Sequence, residues 1–152
     1  MWRRLDEPIP DLHLPAGIAV RTFRPEDAAA VHALLDEAYL GWDEEYEPVK
    51  HEEWVRSMLD DEEFDASVWW LAERDGTLAG CALHWSSGWL KDVAVQEPER
   101  GQGLGAALVV TGLAEFRRRG KSRVGLKVHP ENPTGARELY ERLGFEAEPT
   151  SV

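Results

Sequence analysis

The sequence predicts a single domain of the α/β class (mixed α+β), and three observations support this prediction. The 152 residues suffice for one hydrophobic core and leave little room for a second. Two β-rich runs flank the Asp-Gly pair at residues 75–76, which is typical of a β-hairpin. Apolar residues repeat at helical spacing both before and after these runs. We expect an N-terminal arm over residues 1–16 and the domain over residues 17–152.

The first half of the domain is predicted to contain one strand, two helices and a meander. A strand over residues 18–23 leads to a helix that begins at Pro25, because proline suits the first helical position and the two acids after it favour the positive end of the helix dipole. A shorter helix is predicted over residues 51–60. Three antiparallel strands follow, over residues 67–73, 78–84 and 89–95.

The second half is predicted to alternate helices with strands. Apolar residues from Leu104 to Phe116 predict an amphipathic helix that ends at residues 117–120, where arginines complement the negative helix end and Gly120 suits a left-handed terminal position. A strand over residues 124–128 follows. The last helix is expected to have Asn132 as its N-cap and Pro133 at its first position, and to stop at Gly144. The resulting order, β-α-α-β-β-β-α-β-α-β, is that of a layered fold with both helices and sheet in one core.

Composition and charge exclude several classes of partner. The net charge of −12 disfavours attraction to nucleic acid or to an anionic membrane surface. No apolar run approaches the roughly 20 residues that a membrane helix needs, and the first residues do not resemble a signal peptide. The single cysteine, Cys81, excludes an internal disulfide and a cysteine-based zinc site. We therefore expect a cytoplasmic protein without a metal, a membrane or a nucleic-acid partner.

The charges are distributed unevenly along the chain. Between residues 36 and 63, 12 acidic residues stand against two basic ones, whereas residues 96–127 contain seven basic and three acidic residues. In the acidic part, Asp43, Glu44 and Glu45 stand between Trp42 and Tyr46, and carboxylates beside ring faces suit a cation. A solvated acidic loop is the alternative. The basic part suits phosphates.

A glycine-rich helix start at residues 100–106 carries the clearest chemical signal. Glycines let the backbone approach a ligand closely, and the first N–H groups of a helix are unpaired at the positive end of its dipole. This arrangement suits a pyrophosphate, although a tight turn without a ligand is the alternative. The same residues also match a dinucleotide-binding fingerprint, Gly-x-Gly-x-x-Ala, that starts at Gly101. It is disfavoured because five polar residues separate the strand from the glycines and antiparallel strands come before.

Two blocks of sequence together resemble the GNAT superfamily of N-acyltransferases. In the first, Val93-Ala94-Val95 and a link that contains proline precede Arg-x-x-Gly-x-Gly. In the second, a strand and Asn132 precede Leu-Tyr-x-x-x-Gly-Phe, which begins at Leu139. The resemblance covers roughly residues 17–147. It implies a GNAT-like fold, with a central, mostly antiparallel twisted sheet of about six to seven strands flanked by about four helices.

The resemblance also implies an activity and a set of site residues. It implies acetyl-CoA as co-substrate and direct attack by a primary amine of a small molecule or peptide. The acidic segment favours an acceptor amine that is cationic. Tyr140 would be the general acid that protonates or hydrogen-bonds the leaving thiolate, with a core tyrosine as the alternative. Asn132 would contact the pantetheine arm or the helix start. The implied cofactor-binding residues are Val93, Ala94, Val95, Arg100, Gly101, Gln102, Gly103, Leu104, Gly105, Ala106, Asn132 and Tyr140.

The sequence does not identify the general base. An amine with a pKa near 10.4 is a free base in only about one molecule in 2,500 at pH 7, so some group must remove a proton. Positions at which members of the family carry a base hold Trp89, Lys91 and Lys127 here. Strand parity places Asp92 on the opposite face from Trp89 and Lys91 unless a bulge intervenes. The remaining candidates are Asp92, His84, His129, Asp43, Glu44 and Glu45.

The absent base and the short C-terminus leave a second function open. A non-catalytic acyl-CoA-binding module with a regulatory or interaction role is the alternative to an enzyme. Only seven residues follow Phe145, enough for one strand, whereas the family usually ends with two. The additional strand could come from a partner chain in a homodimer, from the N-terminal arm, or not at all. The acceptor cannot be read from the loops.

Overall fold

The computed structural model describes residues 1–129, 132 and 135–147. The strands are β1 (Trp2–Arg4), β2 (Ile18–Thr22), β3 (Trp69–Arg74), β4 (Thr77–Trp85), β5 (Trp89–Val95) and β6 (Arg123–Leu126). The α-helices are α1 (Ala28–Leu40), α2 (His51–Leu59), α3 (Leu104–Arg118) and α4 (Ala136–Arg142). These strands form one sheet in the order β1-β6-β5-β4-β3-β2, antiparallel except between β5 and β6. The predicted mixed α/β class and its mostly antiparallel sheet are confirmed.

The central meander forms at the predicted turn. Asp75 and Gly76 join β3 to β4, with φ angles of 52° and 78° that place both residues in the left-handed region. Two left-handed central residues are what a type I′ hairpin turn requires, and an Asp-Gly pair adopts them at little cost. β5 then pairs antiparallel with β4, so the three predicted strands lie side by side.

Apolar side chains pack on both faces of the sheet. On one face, a cluster around α3 buries Leu108 and Phe116 completely. On the other face, a cluster beneath α1 and α2 includes Val31 and the fully buried Trp69. Burying a large apolar side chain stabilises a fold by about 1.5–3 kcal/mol, so both layers contribute. Within the described residues, no helix is long and apolar enough to span a membrane.

The predicted N-terminal arm supplies the edge strand of the sheet. Trp2 pairs with Gly125 of β6, and a further bridge joins Trp2 to Glu146. Arg3 is only 3% exposed, and its Nε donates to the carbonyl of Leu143 at 2.7 Å. Of the two sources left open for a strand beyond β6, a partner chain and the N-terminal arm, the arm fills this place. Consecutive arginines show no apolar alternation, so residue periodicity does not predict a strand here.

The last helix begins later than predicted. Asn132 was expected as its N-cap, but α4 begins at Ala136, after Gly135 in the left-handed conformation with φ 77°. A left-handed residue interrupts a right-handed helix, so Asn132 does not belong to α4. Pro133, the expected first helical residue, lies outside the described residues, as do residues 148–152.

The two parallel strands separate and open the sheet. β5 and β6 pair only at Trp89 with Gly125 and at Leu90 with Leu126. The N–H of Gln96 donates to the carbonyl of Ala79 in β4 at 2.8 Å. Backbone groups alternate in direction along a strand. Val93 and Val95 are two residues apart on β5, so their backbone N–H and C=O groups point in the same direction. That direction is away from β4 and into the opening. This opening positions the site.

Candidate active site

A cleft of about 1520 Å³ lies where β5 and β6 separate. Sites for a single drug-sized ligand occupy roughly 300–1,000 Å³, so this cleft has room for two reactants. Its walls come from the end of α1, from β5, from the glycine loop before α3 and from α4. All of the predicted cofactor-binding residues except Gln102 line it, and Gln102 is exposed.

The glycine loop presents unpaired backbone donors to the cleft. Gly101 and Gly103 have φ angles of 82° and 81°, in the region that favours glycine. Gly103 is the N-cap of α3, and the first backbone hydrogen bond of the helix runs from the N–H of Ala107 to the carbonyl of Gly103 at 3.0 Å. The N–H groups before Ala107 therefore lie at the positive end of a 15-residue helix, which suits an anion.

Two side-chain contacts fix the loop in place. Arg100 Nε donates to the carbonyl of Val95 at 3.0 Å, which joins the loop to the end of β5. Arg74 of β3 forms an ion pair with Glu99 at 2.8 Å, just before the glycines. The loop is therefore held from both the end of β5 and the neighbouring β3–β4 hairpin.

A β-bulge in β5 determines which way Asp92 faces. In the β4–β5 ladder Leu83 lies opposite Asp92, but the next residue, His84, lies opposite Leu90. Lys91 is therefore an extra residue in β5. One extra residue reverses the alternation of side chains between the two faces of a strand. A bulge was the one exception allowed to the rule that strand parity places Asp92 on the opposite face, and this bulge is present.

The consequence is that Asp92 lies in the cleft. Leu90 is buried in the cluster around α3, whereas Asp92 accepts a hydrogen bond from Tyr39 on the opposite face. Trp89, Lys91 and Asp92 all line the cleft. The exception to strand parity therefore applies, because the bulge changes the parity between Leu90 and Asp92 and brings Asp92 to the same cleft as Trp89 and Lys91.

Tyr39 of α1 holds the carboxylate of Asp92. Its hydroxyl donates to Asp92 Oδ1 at 2.5 Å, and Lys91 Nζ lies 3.4 Å from Oδ2. Burial, and then the negative charge of Asp92, raises the pKa of the Tyr39 hydroxyl, so it remains a donor. Tyr39 is not predictable from the sequence as a site residue, because it lies 53 residues from Asp92 and no local pattern connects the two.

Tyr140 lies on α4 and faces the same cleft. Its side chain is half-buried, and its ring centre is 5.6 Å from that of Phe145. Burial, and then the charge of Asp92, raises the pKa of Tyr140 to about 12. The hydroxyl is therefore protonated at neutral pH. It also lies close enough to Asp92 to feel that charge, so a donor and a carboxylate share one part of the cleft.

His84 is a core residue rather than a base. It is 1% exposed and lies outside the lining of the cleft. Its Nδ1 is 3.0 Å from the carbonyl oxygen of Val68, and burial lowers the pKa of His84 to about 4. A Cβ atom added at Gly112 of α3 would lie 2.5 Å from the His84 ring, so the ring fills the space that this glycine leaves.

The remaining candidates divide between the cleft and the surface. His129 lines the cleft, with its ring centre 5.5 Å from that of Trp42. Asp43 also lines the cleft, and its Oδ1 accepts a hydrogen bond from the N–H of Glu45 at 3.1 Å. Glu44 and Glu45 are exposed and lie outside the lining. In the part of the chain that the structure describes, no group of three or more His, Cys, Asp or Glu side chains could hold a metal ion.

Comparison with known families decides the assignment. The acetyltransferase (GNAT) family matches residues 29–145, which include α1, the meander, the glycine loop and α4. The chain belongs to this family. The family uses acetyl-CoA, so the resemblance of the two sequence blocks to acyl-CoA-binding enzymes is confirmed.

The curated relatives that the chain matches are longer than the chain itself. The mycothiol acetyltransferase of Thermobispora bispora is 38% identical over 158 residues, which cover 95% of this chain and 52% of the relative. The mycothiol acetyltransferase of Salinispora arenicola is 38% identical over 156 residues, covering 94% of this chain and 49% of the relative. The chain therefore spans about half the length of the curated relatives that it matches.

Solved structures share the fold. A GCN5-related N-acetyltransferase from Sphaerobacter thermophilus is 35% identical with a TM-score of 0.75, covering 94% of this chain and 45% of that one. A GNAT family acetyltransferase from Brucella melitensis, solved in complex with acetyl-CoA, has a TM-score of 0.65 at 24% identity and covers 86% of this chain and 83% of that one. The second likeness concerns the fold alone.

Proposed function

We propose that this protein is an acetyl-CoA-dependent N-acetyltransferase whose acceptor is a primary amine of a small molecule or peptide. The observation that carries this proposal is the shape of one cleft. A free strand edge, a row of helix N–H groups and a protonated tyrosine all face it. Membership of the acetyltransferase family supports acetyl as the transferred group.

The backbone would bind most of the acetyl-CoA. The N–H groups of Leu104, Gly105 and Ala106 precede the first helical hydrogen bond and are suited to the pyrophosphate oxygens. The backbone groups of Val93 and the N–H of Val95 point into the opening and are suited to the amides of the pantetheine arm, which would lie along β5 as an added strand. The carbonyl of Val95 accepts from Arg100 Nε instead. Because backbone groups dominate, this half of the site depends little on side-chain identity.

Tyr140 would stabilise the thiolate that leaves. An ordinary thiol has a pKa of about 8.5, whereas the pKa of Tyr140 is raised to about 12. Complete transfer of the phenol proton to the thiolate is therefore unfavourable at equilibrium. A hydrogen bond from the hydroxyl to the developing negative charge on sulfur is favourable, and it lowers the barrier to breaking the C–S bond.

The cleft also favours a cationic acceptor. Asp43, Glu37 and Asp92 line its α1 side, close to the rings of Tyr39 and Trp42. Carboxylates beside aromatic faces attract an ammonium group by charge and by the ring quadrupole. We also propose a cytoplasmic location, which agrees with the single free and buried cysteine.

Turnover tests the proposal. Acetyl-CoA is incubated with a panel of primary amines, among them spermidine, lysine amide and glucosamine, and the released thiol is measured. Calorimetry with CoA is run in parallel. Release of thiol above the rate without amine supports the enzyme. CoA binding with no turnover on any amine favours the non-catalytic binding module, and absence of CoA binding contradicts both functions.

A further inference from the structure

The carboxylate of Asp92 is a buried charge at the point where the sheet opens. Asp92 is 7% exposed, and it lies two residues beyond the last pairing of β5 with β6, at Leu90. A carboxylate removed from water is unfavourable unless it is hydrogen-bonded or paired with a cation. The positions of its partners therefore show what the cleft can receive.

Its two contacts are unequal. Tyr39, which is half-buried, donates to Oδ1 at 2.5 Å, a short bond. Lys91 Nζ lies 3.4 Å from Oδ2, beyond the usual length of a charge-assisted hydrogen bond, and the Lys91 side chain is 39% exposed. A carboxylate has about four lone-pair sites, so Oδ2 can accept a stronger donor than Lys91 supplies.

We propose that Asp92 binds the ammonium group of the acceptor through Oδ2 and takes its proton, and that Tyr39 positions Asp92 for this step. This inference rests on the proposed acetyl-transfer function. It assigns the proton acceptor that the family-like positions, occupied by Trp89, Lys91 and Lys127, do not supply in this chain.

The proton and electron pairs balance without a further reactant. The acceptor R–NH₃⁺ loses one proton to Asp92, and the nitrogen lone pair forms a C–N bond with the thioester carbon. The C–S bond then breaks, and its electron pair leaves on sulfur. The nitrogen loses its second proton, and one proton ends on the thiolate to give the free thiol of CoA. Asp92 returns its proton to solvent.

Tyr39 suits a positioning role because it is itself fixed. Its ring stacks on Tyr46 with centres 5.2 Å apart, and the hydroxyl of Tyr46 donates to Asp36 instead of Asp92. Tyr46 therefore provides a matched control, since Tyr46→Phe removes a neighbouring phenol hydroxyl without removing a bond to Asp92.

Two CoA thioethers test the inference without knowledge of the acceptor. S-(2-aminoethyl)-CoA carries an ammonium one bond farther from sulfur than the nitrogen of the tetrahedral intermediate, and S-propyl-CoA has the same shape without the charge. For the wild-type protein, calorimetry should give a Kd for S-propyl-CoA about tenfold or more above that for the aminoethyl compound, since a hydrogen bond between charged groups accounts for such a ratio.

The variants then separate the roles. In Asp92→Asn the ratio of the two Kd values should fall to about one, while the affinity for S-propyl-CoA stays at the wild-type value. In Tyr39→Phe the ratio of the two Kd values should fall at least to the square root of the wild-type ratio. In Tyr46→Phe it should stay at the wild-type value. Lys91→Met should keep or increase it, because a competing cation is removed.

Each outcome has one meaning. Equal binding of both thioethers by the wild type, or an unchanged ratio in Asp92→Asn, overturns the inference while leaving the proposed function intact. Failure of the wild type to bind either thioether contradicts the proposed function itself, and the inference with it. If Asp92→Asn does not fold, Tyr39→Phe compared with Tyr46→Phe decides, and equal ratios in these two variants overturn the positioning role.

Discussion

Asp92 of β5 lies opposite Leu83 of β4, whereas the next residue of β4, His84, lies opposite Leu90 and not opposite Lys91. The offset arises because Lys91 is an extra residue, and it brings the carboxylate of Asp92 to the hydroxyl of Tyr39. A regular strand would instead place that carboxylate among the apolar side chains that α3 covers, where it would have no phenol to accept from. The register of two strands thus decides the chemistry of the cleft.

The glycine loop gives the first prediction. Gly103→Ala should lower the affinity for CoA and destabilise the protein by about 1–3 kcal/mol, because φ of 81° strains a residue with a Cβ atom. Space is not the cause, since an added Cβ would meet no heavy atom within 4 Å. A larger substitution such as Gly103→Val would carry the same strain, so loss of CoA binding in that variant would not by itself show that its side chain blocks the ligand.

Gly120 provides the control for this variant. It has φ of 83°, also with no heavy atom within 4 Å of an added Cβ, and it lies at the other end of α3. Gly120→Ala should lose similar stability by urea unfolding and keep wild-type affinity for CoA by calorimetry. Equal loss of affinity in both variants would mean that Gly103 acts through stability and not through the cradle.

Local signals in the sequence predicted most elements of the fold. The Asp75-Gly76 pair determined the hairpin, and Gly120 ended α3 as a left-handed residue after the Arg119 cap. These signals work because turn and cap geometry depends on a few adjacent residues. The glycine loop was predictable for the same reason, since its donors are the backbone of one short segment.

Features that depend on distant pairing were not predictable. β1 forms where Trp2 fits over Gly125, at which an added Cβ atom would lie 2.5 Å from the Trp2 ring. The bulge at Lys91 depends on how two strands align, and the Tyr39 contact joins elements far apart in the chain. Residue periodicity carries no information about such alignments.

The buried His84 gives a prediction about pH. In the unfolded chain a histidine titrates near pH 6.5, whereas burial lowers the pKa of His84 in the folded protein to about 4. Between these values the unfolded state binds more protons, so the free energy of unfolding should fall as the pH falls from about 6.5 to about 4. His84→Gln should weaken this dependence.

Urea unfolding at several pH values checks this prediction. His13→Gln is the control, because His13 is exposed and its removal should leave the pH dependence as in the wild type. Only the change in the free energy of unfolding with pH is compared, since His84→Gln also removes packing against Gly112. The same slope in wild type and His84→Gln would contradict the role of His84 in acid destabilisation.

The acidic segment predicts an effect of salt on catalysis. For a cationic acceptor such as spermidine, kcat/KM should fall as ionic strength rises from 0.01 to 0.15 M, because the Debye length falls from about 30 Å to about 8 Å. Asp43 lines the cleft, while Glu44 and Glu45 are exposed beside it. The double variant Glu44→Gln with Glu45→Gln should therefore raise KM more than it lowers kcat.

A second pair of acids controls for net charge. Asp60→Asn with Glu62→Gln removes the same charge from exposed positions that do not line the cleft. This control should keep KM near the wild-type value at low salt. Equal effects of the two double variants would indicate a general influence of net charge. Indifference of kcat/KM to salt would mean that the segment does not steer the acceptor.

Tyr140 gives the last prediction. Tyr140→Phe should lower kcat by about 10²–10⁴, because the hydrogen bond to the leaving thiolate is lost, and should leave the Kd for CoA almost unchanged. Since burial and the charge of Asp92 raise the pKa of Tyr140 to about 12, deprotonation of this group should not reduce the wild-type kcat at any pH below about 11. Steady-state kinetics from pH 6 to pH 10, with calorimetry for CoA, measures both.

Tyr46→Phe is the control and should keep kcat, because the Tyr46 hydroxyl donates to Asp36. A folded Tyr140→Phe variant with wild-type kcat would reduce Tyr140 to a packing residue against Phe145, and the source of thiolate stabilisation would then have to be sought among the backbone donors of the cleft.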